Sequence, residues 1–270
     1  KALQNNDTDA EATDTDGITS FDSNGFSLGA GGDYNSSSAS QVSWNWKETA
    51  TAGFDILTYE GSGSAKTVSH NLGVKPDWIM VKNIDSTDPA FNWRSYHSAL
   101  GAGIAMKPNG TDAESDDPGY WNDTEPTSSV FSVKDSGETN NSSQTYIAYL
   151  FAEKQGYSKF GSYTGNGNAD GTFVYTGFKV GWFMLKKTSA TDPWLIYDNK
   201  RSPINQVQAN LQANSSNAEV TNTVYLDFLS NGVKFRNTDN DGNLSGGSYI
   251  YMAFAENPFV TSTGVPATAR

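Results

Sequence analysis

Two loops carry the side-chain spacing that a hard cation asks for. In Asn166-Gly167-Asn168-Ala169-Asp170-Gly171 and in Asn237-Thr238-Asp239-Asn240-Asp241-Gly242-Asn243, oxygen-bearing side chains alternate and a glycine follows. Asn166, Asn168, Asp170, Asn237, Asp239 and Asp241 are therefore candidate calcium ligands, because calcium takes several oxygen donors from a flexible loop. Neither loop ends in the bidentate Glu of an EF-hand, and the corresponding stretch Ser62 to Lys66 holds no acid, so a solvated β-turn is the competing reading. No other cofactor is expected.

Tyr120 and Trp121 follow Asp116-Asp117-Pro118-Gly119 and have no clear counterpart elsewhere, which makes them candidates for an exposed glycan-stacking platform; a core role is the alternative. Acid chemistry has less to work with. Glycoside hydrolysis needs two carboxyls held about 5–10 Å apart, one with a raised pKa. Most acids here, Asp112, Asp116, Asp117, Asp239 and Asp241 among them, sit in polar loops that favour the ionised form. Cysteine is absent, which removes disulfides, thiolate nucleophiles and Cys-ligated metals. Two histidines remain, His70 and His97, too few for a His-rich metal site. No enzyme is expected.

Those residues must be positioned by a framework, and composition says which kind. The chain has 18 Lys and Arg against 30 Asp and Glu, a net charge of −12 that argues against nucleic acid as a partner. No apolar run is long enough for a spanning helix, so membrane insertion is not expected. With 7 Trp, 13 Tyr and 14 Phe the chain can bury enough area to fold, and its many Gly, Asn and Ser suit turns between short strands.

An internal repeat organises the chain. Tyr59-Glu60-Gly61-Ser62-Gly63-Ser64-Ala65 returns 104 residues later as Tyr163-Thr164-Gly165-Asn166-Gly167-Asn168-Ala169, and Trp78-Ile79-Met80-Val81-Lys82 returns as Trp182-Phe183-Met184-Leu185-Lys186. Trp93 and Tyr96 answer to Trp194 and Tyr197, and Ala113-Glu114 to Ala218-Glu219. Each copy closes alike, with Tyr146 to Glu153 against Tyr249 to Glu256. The repeat places Val174 opposite His70 and Asp198 opposite His97, so both imidazoles are expected to pack or bond structurally.

Two full β modules are expected at 53–153 and 154–256. Residues 17–52 resemble the closing half of a preceding module, with Trp44 and Trp46 at the aromatic positions of the closing strand and so candidates for assembly contacts. Residues 1–16 read as an acidic linker and 257–270 as a tail. The opening Lys1 suggests an internal fragment or a processed product. Tyr146 to Phe151 is apolar on both alternating faces, as in a strand buried on both sides; alternation over 206–213 marks another strand. Ser23-Asn24-Gly25, Ser230-Asn231-Gly232 and Asp241-Gly242 supply turns. The fold expected is all-β: tandem antiparallel β-sandwiches, jelly-roll or lectin-like, of about one hundred residues each.

His70-Asn71-Leu72-Gly73-Val74-Lys75-Pro76 with Trp78 to Lys82, Gly156 to Gly167, Asp123 to Phe131 and Tyr249 to Glu256 together resemble a repeated module of tail-fibre and other virion proteins of tailed bacteriophages, especially marine phages. The resemblance covers nearly the whole chain, although the second copy lacks the His-Asn-Leu-Gly-Val-Lys-Pro string. It implies an extracellular virion component without catalytic residues, acting by non-covalent adhesion to a host surface glycan or protein. Homo-oligomers or other virion proteins are the expected partners. The alternatives are a capsid-decoration or filament subunit completed by strand exchange, and a polysaccharide-degrading tailspike.

Overall fold

The computed structural model describes residues 1–88, 90–221 and 225–258. The chain is predominantly β, with antiparallel pairing throughout the described residues and only four one-turn helices. No described helix is long and apolar enough to cross a membrane.

The strands run β1 (Ile18–Asp22), β2 (Gly25–Leu28), β3 (Phe54–Glu60), β4 (Lys66–Ser69), β5 (Trp78–Asn83), β6 (Arg94–His97), β7 (Ile104–Ala105), β8 (Ser115–Asp116), β9 (Val130–Val133) and β10 (Thr145–Phe151). They continue as β11 (Ser158–Thr164), β12 (Phe173–Tyr175), β13 (Val180–Lys187), β14 (Trp194–Asp198), β15 (Asn210–Gln212), β16 (Leu226–Leu229), β17 (Gly232–Phe235) and β18 (Ser248–Ala255). The helical turns are α1 (Gly32–Asn35), α2 (Pro118–Trp121), α3 (Gly137–Asn140) and α4 (Asn240–Asn243).

Two larger sheets share one strand order. The first is β3-β10-β5-β6 and the second β11-β18-β13-β14-β15, so in each the last long strand of the copy slides between the first two. The identical order follows from the repeated sequence, because Trp78-x-x-x-Lys82 and Trp182-x-x-x-Lys186 pair with the closing strands in the same register, Trp78 opposite Phe151 and Trp182 opposite Phe254. Smaller sheets, β4-β9 and β12-β17-β16, cover one face of each.

Alternation along β10 explains the layers. Tyr146, Ala148 and Leu150 enter a core with Val68, Phe131 and Val133, whereas Phe151 faces the other way. Along β18, Tyr249, Tyr251 and Ala253 join Val233 and Phe235 in a second core, and Ile250, Met252 and Phe254 face opposite. The two outward faces meet in a third cluster containing Phe54, Trp78, Phe151, Phe160, Trp182, Trp194 and Phe254. Burial of such a side chain stabilises by roughly 1.5–3 kcal/mol, so this shared cluster holds the two large sheets together.

The segment 1–16, expected as a linker, is tied to the first large sheet: the Trp93 indole donates to Gln4 O (3.0 Å), Lys82 Nζ to Thr8 O (2.9 Å), and Glu11 N to Ile84 O (3.1 Å). Ser23-Asn24-Gly25 and Ser230-Asn231-Gly232 form the expected hairpin turns, β1 to β2 and β16 to β17. Asp241-Gly242 differs, lying inside α4, because Asp239 caps that turn by accepting from Asp241 N (2.9 Å). The strand expected over 206–213 is confined to β15, with an isolated bridge from Val207 to Leu226. Residues 259–270 of the expected tail lie outside the described residues.

Candidate functional site

Tyr120 and Trp121, expected as a surface stacking platform, lie in the first core instead. The reason is local. Asp117 accepts from Gly119 N (2.8 Å) and Pro118 starts α2, so the turn carries both rings inward. Tyr120 Oη donates to Glu138 (2.8 Å), which also receives Arg94 Nε (2.7 Å) and the Asn92 amide (2.8 Å). Arg94 lies over the Tyr120 ring at 4.5 Å. This cluster is buried and mutually satisfied.

The expected calcium ligands are brought together in two loops, but their oxygens are turned to protein donors. Asn166 Oδ1 accepts from Asn168 N (3.0 Å), Asn168 Oδ1 from Asp170 N (2.9 Å), and Asp170 pairs with Lys234 (2.8 Å). Asn237 Oδ1 accepts from Asp239 N (3.4 Å) and Asp239 caps α4. Between the loops sits buried Asn243, whose Nδ2 donates to Asn166 Oδ1 (3.0 Å), Asn168 O (2.9 Å) and Asn237 O (2.8 Å). Its Oδ1 accepts from Asn166 N (3.0 Å). A neutral amide thus gathers oxygens that a cation would gather. The first half repeats the arrangement: buried Asn140 donates to Ser64 O (2.7 Å) and Lys134 O and accepts from Ser62 N (2.8 Å). Among the described residues, no group of three or more His, Cys, Asp or Glu is placed to hold a metal ion.

Other ionisable groups are equally committed. His97 Nε2 donates to Tyr251 O (3.2 Å) and its Nδ1 accepts from Ala99 N (3.0 Å); burial lowers its pKa to about 4, keeping it neutral. His70 spans Thr127 O (3.3 Å) and Leu72 N (3.3 Å), and burial lowers it too. The buried Lys186 ammonium is held by Lys187 O and Ala190 O, with burial bringing its pKa down to about 8. Asp241 is raised to about 7, first by burial, then by its hydrogen bond with Asp192 and the nearby charge of Asp239. This acidic pair was missed in the sequence because Asp192 and Asp241 lie 49 residues apart, joined only by the pairing of β13 with β18.

Of the concavities, one along residues 2–15, 33 and 34 is polar, and another is apolar. A cavity of about 240 Å³ opens at the junction of the large sheets, lined by Trp44, Trp46, Trp78, Trp93, Trp182 and Trp194 with Met80, Met184 and Met252. Trp44 and Trp46, expected to seat assembly contacts, pack within their own chain: Trp46 meets Trp182 and Phe254 at 5.4 Å each, and Trp44 Nε1 donates to Asp198 (3.3 Å). The indole N–H groups of Trp78 and Trp182 are buried without an acceptor. No acidic, basic or histidine side chain lines this space, and burial raises the pKa of the one phenol there, Tyr149, so it offers apolar and aromatic contact.

Fold and site together define an antiparallel β protein with an aromatic junction between its two large sheets. By sequence it belongs to the family described as a domain of unknown function (DUF7483), which it matches over residues 1–258. No curated protein and no solved structure matches the chain.

Proposed function

We propose that the chain is an extracellular virion structural protein of a tailed bacteriophage, a tail-fibre or host-attachment component built from tandem β-sandwich modules and acting by non-covalent adhesion. One observation carries the non-catalytic part: both histidines, Lys186 and Glu138 are bonded inside the fold, and tyrosine bonds that fix loops recur in both halves. Tyr59 Oη donates to Thr139 O (2.5 Å) as Tyr163 Oη donates to Gly242 O (2.8 Å), and Tyr146 Oη donates to Gly137 O (2.6 Å) as Tyr249 Oη donates to Asn240 O (2.6 Å). Such duplication is what a scaffold retains, since each bond fixes a loop to a strand. The resemblance carried by His70 to Pro76 and Tyr249 to Glu256 supplies the virion part. Adhesion by a many-copy fibre needs only weak single contacts, because avidity multiplies them.

Fluorescently tagged protein should bind host bacteria of a phage encoding it, compete with that phage for adsorption, and release no reducing sugar. Released sugar would favour the tailspike reading. Antibody labelling confined to the capsid shell would favour the decoration reading, for which the bare face of hairpin β1–β2 is the supporting observation.

A further inference from the structure

Residues 1–48 occupy, against the first half, the place that residues 104–153 occupy against the second. Thr8-Asp9-Ala10-Glu11 is repeated as Thr111-Asp112-Ala113-Glu114. Trp93 donates its indole N–H to Gln4 O and Trp194 to Lys107 O, both at 3.0 Å. Glu11 N bonds Ile84 O (3.1 Å) and Glu114 N bonds Thr188 O (2.9 Å). Ala2 bridges Ala12 as Ala105 pairs with Ser115. The relation then continues around the junction. His97 at the end of β6 reaches the closing strand of the second half at Tyr251 O, and Asp198 at the end of β14 reaches Trp44 of the first segment.

Three closing segments therefore contribute to the tryptophan junction, but among the described residues only two have a large sheet to close. The consequence falls on hairpin β1–β2. Its counterpart β16–β17 is sealed beneath the second large sheet, with Leu226, Phe228 and Phe235 0%, 4% and 0% exposed. The residues at the matching positions, Ile18, Phe21 and Leu28, are 44%, 81% and 38% exposed. Residues 42–47, at the place of β10 and β18, join no ladder, and Leu3, at the place of Met106, has no strand beside it, whereas Met106 and Ser95 exchange two bonds of 2.9 Å.

We propose that this face is a docking site for a polypeptide bearing the amino half of one more module of the same kind, equivalent to Phe54–Gly103. The chain itself shows the fit, since it contains the same hairpin covered by the same kind of sheet. The incoming strands would pair with 42–47, cover Phe21 and Leu28, and bring a third tryptophan, equivalent to Trp78 and Trp182, to the apolar cavity. This surface is independent of the adhesive reading.

The thiol-free sequence makes the test direct. Phe21→Cys gives a single thiol on the bare hairpin, Phe228→Cys a benchmark for the covered one, and Ser230→Cys a control at an exposed turn. In the present chain Cys at 21 should react with a thiol reagent as fast as the exposed control. With residues Phe54–Gly103, or separately Ser158–Gln208, appended ahead of Lys1, it should react at least about tenfold more slowly, approaching the benchmark. Two fusions guard against one that fails to fold. Fast labelling in both overturns the proposal. Protection that instead grows with concentration of the unextended chain, together with a dimer in light scattering, overturns it in favour of a second copy.

Discussion

Asn243→Ala removes the amide that joins the two loops of the second half. Its Nδ2 lies 2.8–3.0 Å from three acceptors that share its two protons, and its Oδ1 accepts from Asn166 N at 3.0 Å and Thr172 N at 3.5 Å. Net contributions run near 0.5–1.5 kcal/mol each, and water can replace part of what is lost at exposed Asn166 and Asn168, so the expected cost is about 3–4 kcal/mol. At roughly 2–4 °C per kcal/mol for a chain of this size, the melting temperature should fall by about 10 °C. Circular dichroism melts and urea midpoints measure this. Asn168→Ala, which loses only the exposed bond to Asp170 N, should cost about 1 kcal/mol or less. Asn140→Ala should match Asn243→Ala if the two hubs are equivalent. The reasoning is refuted if Asn243→Ala melts within about 2 °C of the parent, or if Asn168→Ala costs as much.

Asp241 holds its proton up to about pH 7 in the folded chain but only to about 4 when unfolded, so its contribution falls as pH rises between those values and is smallest above 7. Asp241→Asn should accordingly gain stability over the parent from pH 4 to pH 8, which urea midpoints across that range would show. His97 runs the other way: its folded pKa of about 4 lies below the unfolded 6.5, so its stabilisation is complete above 6.5 and lost as pH falls towards 4. His97→Gln should flatten that acid limb. Trp121→Ala should cost about 3–5 kcal/mol in chemical denaturation, as a buried indole does. Because Asn243 already gathers the loop oxygens, millimolar calcium and a chelator should give equal melting temperatures.

The strands were legible where aromatic and lysine positions recur, because one-residue alternation fixes which face each side chain takes. The apolar run Tyr146 to Phe151 announced a strand covered on both sides, and its alternate residues do enter different cores. Loops were harder. The polar string Asp116 to Gly119 suggested a wet surface around Tyr120 and Trp121, whereas a capped turn reverses the direction of those rings. The alternating oxygens at 166–170 and 237–241 were visible, but not the backbone N–H groups and Lys234 that engage them, nor the asparagine that bridges the two loops. The pairing of Asp192 with Asp241 and the anchoring of residues 4–11 needed the sheet register, which composition does not reveal.

The shared aromatic cluster constrains how such a chain could have arisen. One copy alone would present a sheet apolar on both faces, and covering the outer face with another subunit would make its stability depend on concentration. Joining copies end to end makes those encounters intramolecular, and it frees each copy to diverge: the ladders set Val174 opposite Val68 rather than the expected His70, whose place is held by Thr176, each accepting from the backbone N–H two residues on.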